Sequence, residues 1–254
     1  REATRLELLG KCLPIPSFFE ICWSVQEDRV FFCSLSDALC EELRELFKES
    51  FQFDLSPFVP WDADASPALS ASRAGKGAAP AALPPGADPL TIGREFLTWL
   101  WFKSEERSGK ILVPDMGECE VLFLRRLVLE SGDGEYAESV VCQGMHADLK
   151  EGKEALRQGK KITAARLRIA HDKTEWEFTF KADRFHFQSL KLPTLPENDG
   201  EEVDREGQLL ERIYLIEQAA GMMALLFGAY LGIRSSGAWA AEQTRMQRWI
   251  TQAG

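Results

Sequence analysis

The sequence predicts an α+β fold: antiparallel sheets with packed helices and a long apolar helix near the C-terminus. Three observations carry this. Residues 160–192 alternate apolar and polar side chains with a period of two, as strands with one wet face do. Residues 207–231 carry apolar side chains at steps of three and four, as a helix buried along one side does. Between these classes stands Gly93–Glu106, GREFLTWLWFKSEE, apolar almost all the way round. As a helix it has Ile92, Phe96, Trp99 and Leu100 on one stripe and Leu97 and Trp101 on a second, which suits burial on most of its circumference.

In chain order, Arg1–Lys11 reads as the end of a helix closed by Gly10. Pro14 and Pro16 force an extended turn. Phe18–Val25 and Arg29–Ser34 form a hairpin around Gln26-Glu27-Asp28, although that turn lacks Gly. Ser36-Asp37 opens a helix with Leu39, Leu43, Leu46 and Phe47 on one side. Phe51–Pro57 then reads as an edge-like strand, with Phe51, Phe53 and Leu55 alternating. These elements form an α+β segment over residues 1–61.

Residues 62–89 are dominated by Ala, Pro, Ser and Gly. So little aliphatic bulk cannot offset the entropy of ordering, so this stretch reads as a flexible linker or insertion. Residues 90–254 form a β-rich region with C-terminal helices. Thr91, or Asp88 followed by Pro89, can start the aromatic helix. Strands follow at Lys110–Pro114, Glu118–Arg126, Arg126–Ser131 and Tyr136–Cys142, the last two around Gly132-Asp133-Gly134. Asp148–Gln158 is a short amphipathic helix closed by Gly159. In the alternating segment Ile162, Ala165, Leu167 and Ile169 oppose Arg166 and Arg168, and Trp176, Phe178 and Phe180 oppose Glu175, Glu177, Thr179 and Lys181. Glu197–Glu206 is a solvated acidic loop. The long helix carries Leu209, Ile213, Ile216, Ala220, Met223, Phe227 and Leu231 on its stripe. Ser235-Ser236-Gly237 breaks it, and a last helix carries Trp239, Met246, Trp249 and Ile250.

The chain has 254 residues and a net charge of −10, so its overall field does not favour nucleic acid, and any such function needs a local basic surface. Its six cysteines (Cys12, Cys22, Cys33, Cys40, Cys119, Cys142) include no C-x-x-C pair and no histidine at zinc-finger spacing. With no signal peptide visible, buried reduced thiols in a cytoplasm are expected. The uncharged run Gln218–Ile233 is shorter than the roughly 20 residues of a spanning helix, so a core or interface helix is expected and no membrane association.

No nucleophile elbow, P-loop, dinucleotide fingerprint or H-E-x-x-H occurs. His146, His171 and His186 form no metal or triad pattern. An enzyme, a cofactor and a metal site therefore have no positive support. One charge anomaly remains. Lys150–Lys191 holds eleven basic residues against six acidic ones, a balance of +5. Arg166 and Arg168 project from one sheet face with Lys181 on the next strand, where they could contact a phosphate backbone. Equally, Arg166 and Arg168 could pair across the hairpin with Glu175 and Glu177 as an ordinary charged surface.

Four stretches, in this order, resemble the bacterial recombination-associated RdgC family: LLGKCLPIPSFFEICWSV, GREFLTWLWF, ADLKEGKEALRQGKKITAARLRI and DREGQLLERIYLIEQAAGMMALLF. The resemblance implies a non-enzymatic protein that binds double-stranded DNA with little sequence preference. It further implies a ring-shaped homodimer with a positive inner surface, a nucleoid-associated place in the cytoplasm, and a link to RecA-driven strand exchange. It also implies that an N-terminal portion precedes Arg1. Where the family has a basic pair before the Asp-Leu of its tip helix, Asp148-Leu149 follows Met145, His146 and Ala147. The positions carried over as DNA contacts are Lys160, Lys161, Arg166, Arg168 and Lys181. The alternative is a homo-oligomeric interaction or scaffold domain of the same fold without DNA binding.

Overall fold

The computed structural model describes residues 15–26, 28–58, 89–106, 108–113, 117–132, 138–143, 150–194 and 205–252. The expected N-terminal helix end, most of the linker, the Asp133-Gly134 turn, His146 and the acidic loop up to Asp204 lie outside these residues. The chain divides into two compact units, with the boundary between Leu55 and Ser56.

The first unit holds strands β1 (Ile21–Ser24) and β2 (Arg29–Phe32) and helix α1 (Asp37–Phe51). The strands pair antiparallel, Ile21 opposite Phe32. The turn manages without glycine because Asp28 takes the left-handed conformation at φ 49°, which Asp tolerates. Trp23 packs on Phe47 and Phe51, with ring centroids 4.9 and 5.0 Å apart. Phe51–Pro57 is not a strand. Phe51 continues the helix, since it stacks one turn beyond Phe47 at 4.8 Å. Gln52 then closes α1 in a left-handed cap, its N–H donating to the Lys48 carbonyl at 2.9 Å.

The second unit contains helix α2 (Pro89–Glu106), strands β3 (Lys110–Val113), β4 (Gly117–Ser131) and β5 (Glu138–Gln143), helix α3 (Lys150–Arg157), strands β6 (Lys161–His171), β7 (Thr174–Lys181) and β8 (His186–Lys191), and helices α4 (Arg205–Arg234) and α5 (Trp239–Thr251). The six strands form one antiparallel sheet in the order β3-β4-β6-β7-β8, with β5 joining β4. β4 is one continuous strand rather than the two expected to meet at Arg126. No turn residue interrupts it there, and a register shift between Leu124 and Leu127 absorbs two residues as a bulge. An even insertion preserves the period of two, so Cys119 and Val121 before the bulge and Leu127 and Leu129 after it face the same way.

That inner face is the core. Ile111, Val113, Cys119, Val121, Leu127, Leu129, Ile162, Ala165, Leu167, Ile169, Trp176, Phe178 and Phe180 are buried on it. α2 lies against β3, β4 and β6, and meets α4 and α5 on its remaining circumference. The two-stripe reading of α2 holds: Ile92, Phe96, Leu97, Trp99, Leu100 and Trp101 are all at most 2% exposed. Phe96 packs on Phe180 of the sheet and on Phe227 of α4, at 6.3 and 5.1 Å. The long C-terminal helix is buried only from Leu215 onward. Of the expected stripe, Leu209 is exposed and Ile213, Ile216 and Ala220 are half-buried, while the buried side runs through Leu215, Ala219, Met222, Leu226 and Tyr230; Leu210 and Tyr214 are also exposed on the first turns.

Polar atoms on this apolar helix are answered by neighbouring elements, as burial requires. Arg94 donates twice to Asp183, at 2.8 and 2.9 Å. Glu95 accepts from Tyr230 and Arg234 of α4, at 2.8 and 2.7 Å. The Trp99 indole N–H donates to Glu242 of α5 at 3.0 Å, and Lys103 reaches the same carboxylate oxygen at 2.7 Å. Glu105 accepts from Lys153 of α3 and from the Trp249 indole, at 2.7 and 2.6 Å.

Trp99→Ala removes a fully buried aromatic and one donor to Glu242; it should destabilise by roughly 3–5 kcal/mol in urea melts. A near-neutral effect would mean that α2 is not the centre of the core. For Glu242, burial raises the pKa, but hydrogen bonds from Lys103, Trp99 and Arg245 outweigh it and hold the group below its ordinary value. A folded pKa below the unfolded one gives stability that is complete above the unfolded value and is lost as pH falls through the folded one. Glu242→Gln should therefore flatten the acid limb of a stability-against-pH curve, and parallel acid limbs would refute it.

Candidate nucleic-acid interface

The period of two that buries one sheet face sends the alternate residues to the other. The described helices bury the inner face, so the outer face stays exposed or half-exposed. Its charged residues come from every strand except β5: Lys110, Glu118, Glu120, Arg126, Glu130, Lys161, Arg166, Arg168, Glu175, Glu177, Lys181 and Lys191. Among the described residues that is seven cations against five carboxylates, a balance of +2 on a chain of −10. Between them lie Leu122, Leu124, Val128, Ala164, Ala170 and Thr179, none of them aromatic.

The structure brings four of the five expected contact residues onto this face. Lys161 is exposed at the start of β6, opposite Glu130. Lys181 is half-exposed on β7, opposite Ala164 and His186. Neither side chain makes a hydrogen bond or ion pair among the described residues. Arg166 and Arg168 stand two residues apart on β6, so their side chains leave the same face roughly 7 Å apart along the strand. Lys160 is the exception. It sits where α3 ends after Gly159, at φ 86°, and is 7% exposed. Its ammonium donates to Glu138 at 2.8 Å, and the hydrogen bond and charge of Lys160 hold the Glu138 carboxyl below its ordinary pKa. Lys160 ties α3 to β5 and is withdrawn from any phosphate.

The arginines are paired as the sequence allowed. Arg166 donates through Nε to Glu177 at 2.9 Å, through Nη2 to the same oxygen, and through Nη1 to the Ser189 carbonyl at 3.2 Å. Lys191 approaches that Glu177 oxygen at 3.4 Å. The Arg166 hydrogen bond, outweighing burial, holds Glu177 below the usual carboxylate range. Arg168 lies between Glu120 and Glu175 at 3.9 and 3.7 Å, beyond hydrogen-bond length, and is held only loosely. Both arginine pairs run diagonally across strands: Arg166 is directly opposite Thr179, and Arg168 is opposite Glu177.

Lys110, Arg126 and Lys191 also belong to this face, although the sequence did not single them out as contacts. Lys110 and Arg126 lie outside the basic stretch and join it only through strand register, with Lys110 opposite Glu120 and Arg126 on the far side of the bulge. The arrangement places cations where an anion could meet them. Among the described residues no group of His, Cys, Asp and Glu could hold a metal ion. Five cysteines are free thiols, and Cys119 is pushed up to about 12 by burial and by the neighbouring Glu120 charge, which makes it inert as a nucleophile at neutral pH.

No protein-family model and no curated protein matches the chain.

The two arginines should separate in stability. Arg166→Ala removes donors to a carboxylate and a carbonyl from a mostly buried side chain, and should cost about 1–3 kcal/mol. Arg168→Ala breaks only long, partly exposed ion pairs and should stay within about 1 kcal/mol of the parent. Equal losses in chemical denaturation would mean that the pairing differs from that described.

Proposed function

We propose that the chain is a non-enzymatic protein that binds duplex DNA without sequence preference through the outer face of its sheet. The observation that carries this reading is the +2 balance on the face that the helices leave open, in a chain whose net charge is −10. Cations spread over strands with fixed spacing suit a repeating phosphate backbone, which positions a protein without reading bases. Among the described residues the face carries no Phe, Tyr or Trp, which disfavours single strands, whose bases need stacking platforms. The resemblance to the recombination-associated RdgC family supports the same reading, and with it a homodimer acting on RecA-driven strand exchange.

The binding should be weak. Five carboxylates share the face with the cations, and each phosphate contacted by Arg166 or Arg168 must displace one. Lys161 and Lys181 make no side-chain ion pair among the described residues and should provide the first contacts. Fluorescence anisotropy with a labelled duplex should show binding at low salt that is equal for unrelated sequences and falls as salt rises. Lys161→Glu with Lys181→Glu should weaken it and reduce the slope of log K against log salt by about two. No binding by the wild-type protein even at low salt would overturn the reading.

A second reading is favoured by the charge pairs themselves: a homo-oligomeric interaction domain that does not bind DNA. The exposed Leu209, Leu210 and Tyr214 on α4 support it, because an apolar stripe left open on a helix suits association. It predicts a concentration-dependent mass by light scattering that Leu210→Glu abolishes, with no mobility shift of any duplex.

A further inference from the structure

We infer that Glu177 is an internal competitor for phosphate, seated in an anion cradle built from Arg166, Lys191 and the β7–β8 bulge. The inference rests on reading the outer sheet face as a duplex-binding surface, and it names the residue that limits affinity there.

Three donors converge on one oxygen of Glu177: Arg166 Nε at 2.9 Å, Arg166 Nη2, and Lys191 Nζ at 3.4 Å. The other carboxylate oxygen makes no hydrogen bond among the described residues. The guanidinium is not aimed by Glu177 alone. Its third nitrogen, Nη1, donates to the Ser189 carbonyl at 3.2 Å. Ser189 adopts φ 54°, in the left-handed region, next to the register shift between Glu177 and Thr179. Lys191 lies directly opposite Glu177 across that shift. The arginine fork is therefore anchored at one end by backbone, with its remaining donors and an ammonium directed at a single anionic oxygen. An arginine fork beside a lysine is the arrangement that takes a phosphate oxygen.

Arg168 offers a contrast on the same strand. It is flanked by two carboxylates at 3.7 and 3.9 Å, with no carbonyl anchor among the described residues. Its surroundings are an ordinary charged surface, whereas those of Arg166 are a site with its occupant in place. Duplex phosphate and the Glu177 carboxylate then compete for the same donors. The residue sets how tightly the face binds, and Gln in its place keeps the shape while removing the competing charge.

The test is a salt titration of labelled duplex binding by the wild type, Glu177→Gln, and Glu177→Gln combined with Arg166→Gln, with circular dichroism to verify that each keeps the sheet. Glu177→Gln should bind fivefold or more tighter at low salt, with the slope of log K against log salt steeper by about one, as for one added phosphate contact. The double variant should lose the gain. A merely structural ion pair would alter thermal stability and leave the slope unchanged. If the wild type binds and Glu177→Gln binds equally, the inference falls while the duplex reading stands. If the wild type does not bind and Glu177→Gln does, the inference holds and DNA binding is removed from the native chain. If neither binds, both fall.

Discussion

The second unit depends on burying α2 on nearly every side. A helix that carries Phe96, Trp99, Trp101 and Phe102 in the interior supplies large apolar area, but it also carries indole and charged groups into a place without water. Glu242 resolves the sharpest conflict. Its carboxylate is itself buried, yet it accepts from the Trp99 indole and from Lys103 and Arg245. Removing Glu242 would leave the buried Trp99 indole without its acceptor, whereas Lys103 and Arg245 would keep Glu106 as a partner. Glu95 does the same toward α4, and Glu105 toward α3 and α5.

Fixing α2 in this way determines which face of the sheet is dry. The inner residues of β3, β4, β6 and β7 meet α2 and its neighbours, and parity commits the alternate residues to solvent. The even insertion in β4 matters here. It keeps Leu127 and Leu129 on the dry side with Cys119 and Val121. The charged outer face is thus a consequence of the aromatic core rather than a feature assembled separately.

On that face the sign of the charge and the freedom of the charge are different matters. Cations outnumber carboxylates, which attracts phosphate, but Arg166 and Arg168 already have partners and Lys160 is turned into structure. On the proposed reading, anion contact would fall to Lys161 and Lys181, whose side chains make no ion pair among the described residues, and to the fork at Arg166. The strength of binding would, on the same reading, be set by local competition between carboxylate and phosphate, to which net charge alone is blind.

Much of this was legible in the chain itself. The period-two run at 160–192 determined β6, β7 and β8 and their wet side. The density of aromatics at 93–106 determined a helix that had to be buried, and the apolar steps beyond Leu215 determined the long C-terminal helix. All of these are local patterns, carried by spacing of side chains along one element. Tertiary structure decided the rest, because it depends on which elements become neighbours. Phe51 continued a helix instead of opening a strand because Phe47 lay one turn below it. β4 ran unbroken because two of its own residues could bulge while it stayed paired with β6. Lys160 was lost to the interface because the end of α3 falls beside Glu138. The diagonal choice of Glu177 by Arg166, with Lys191 and the Ser189 carbonyl converging on the same place, required the β7–β8 register, which side-chain spacing within any single strand does not encode.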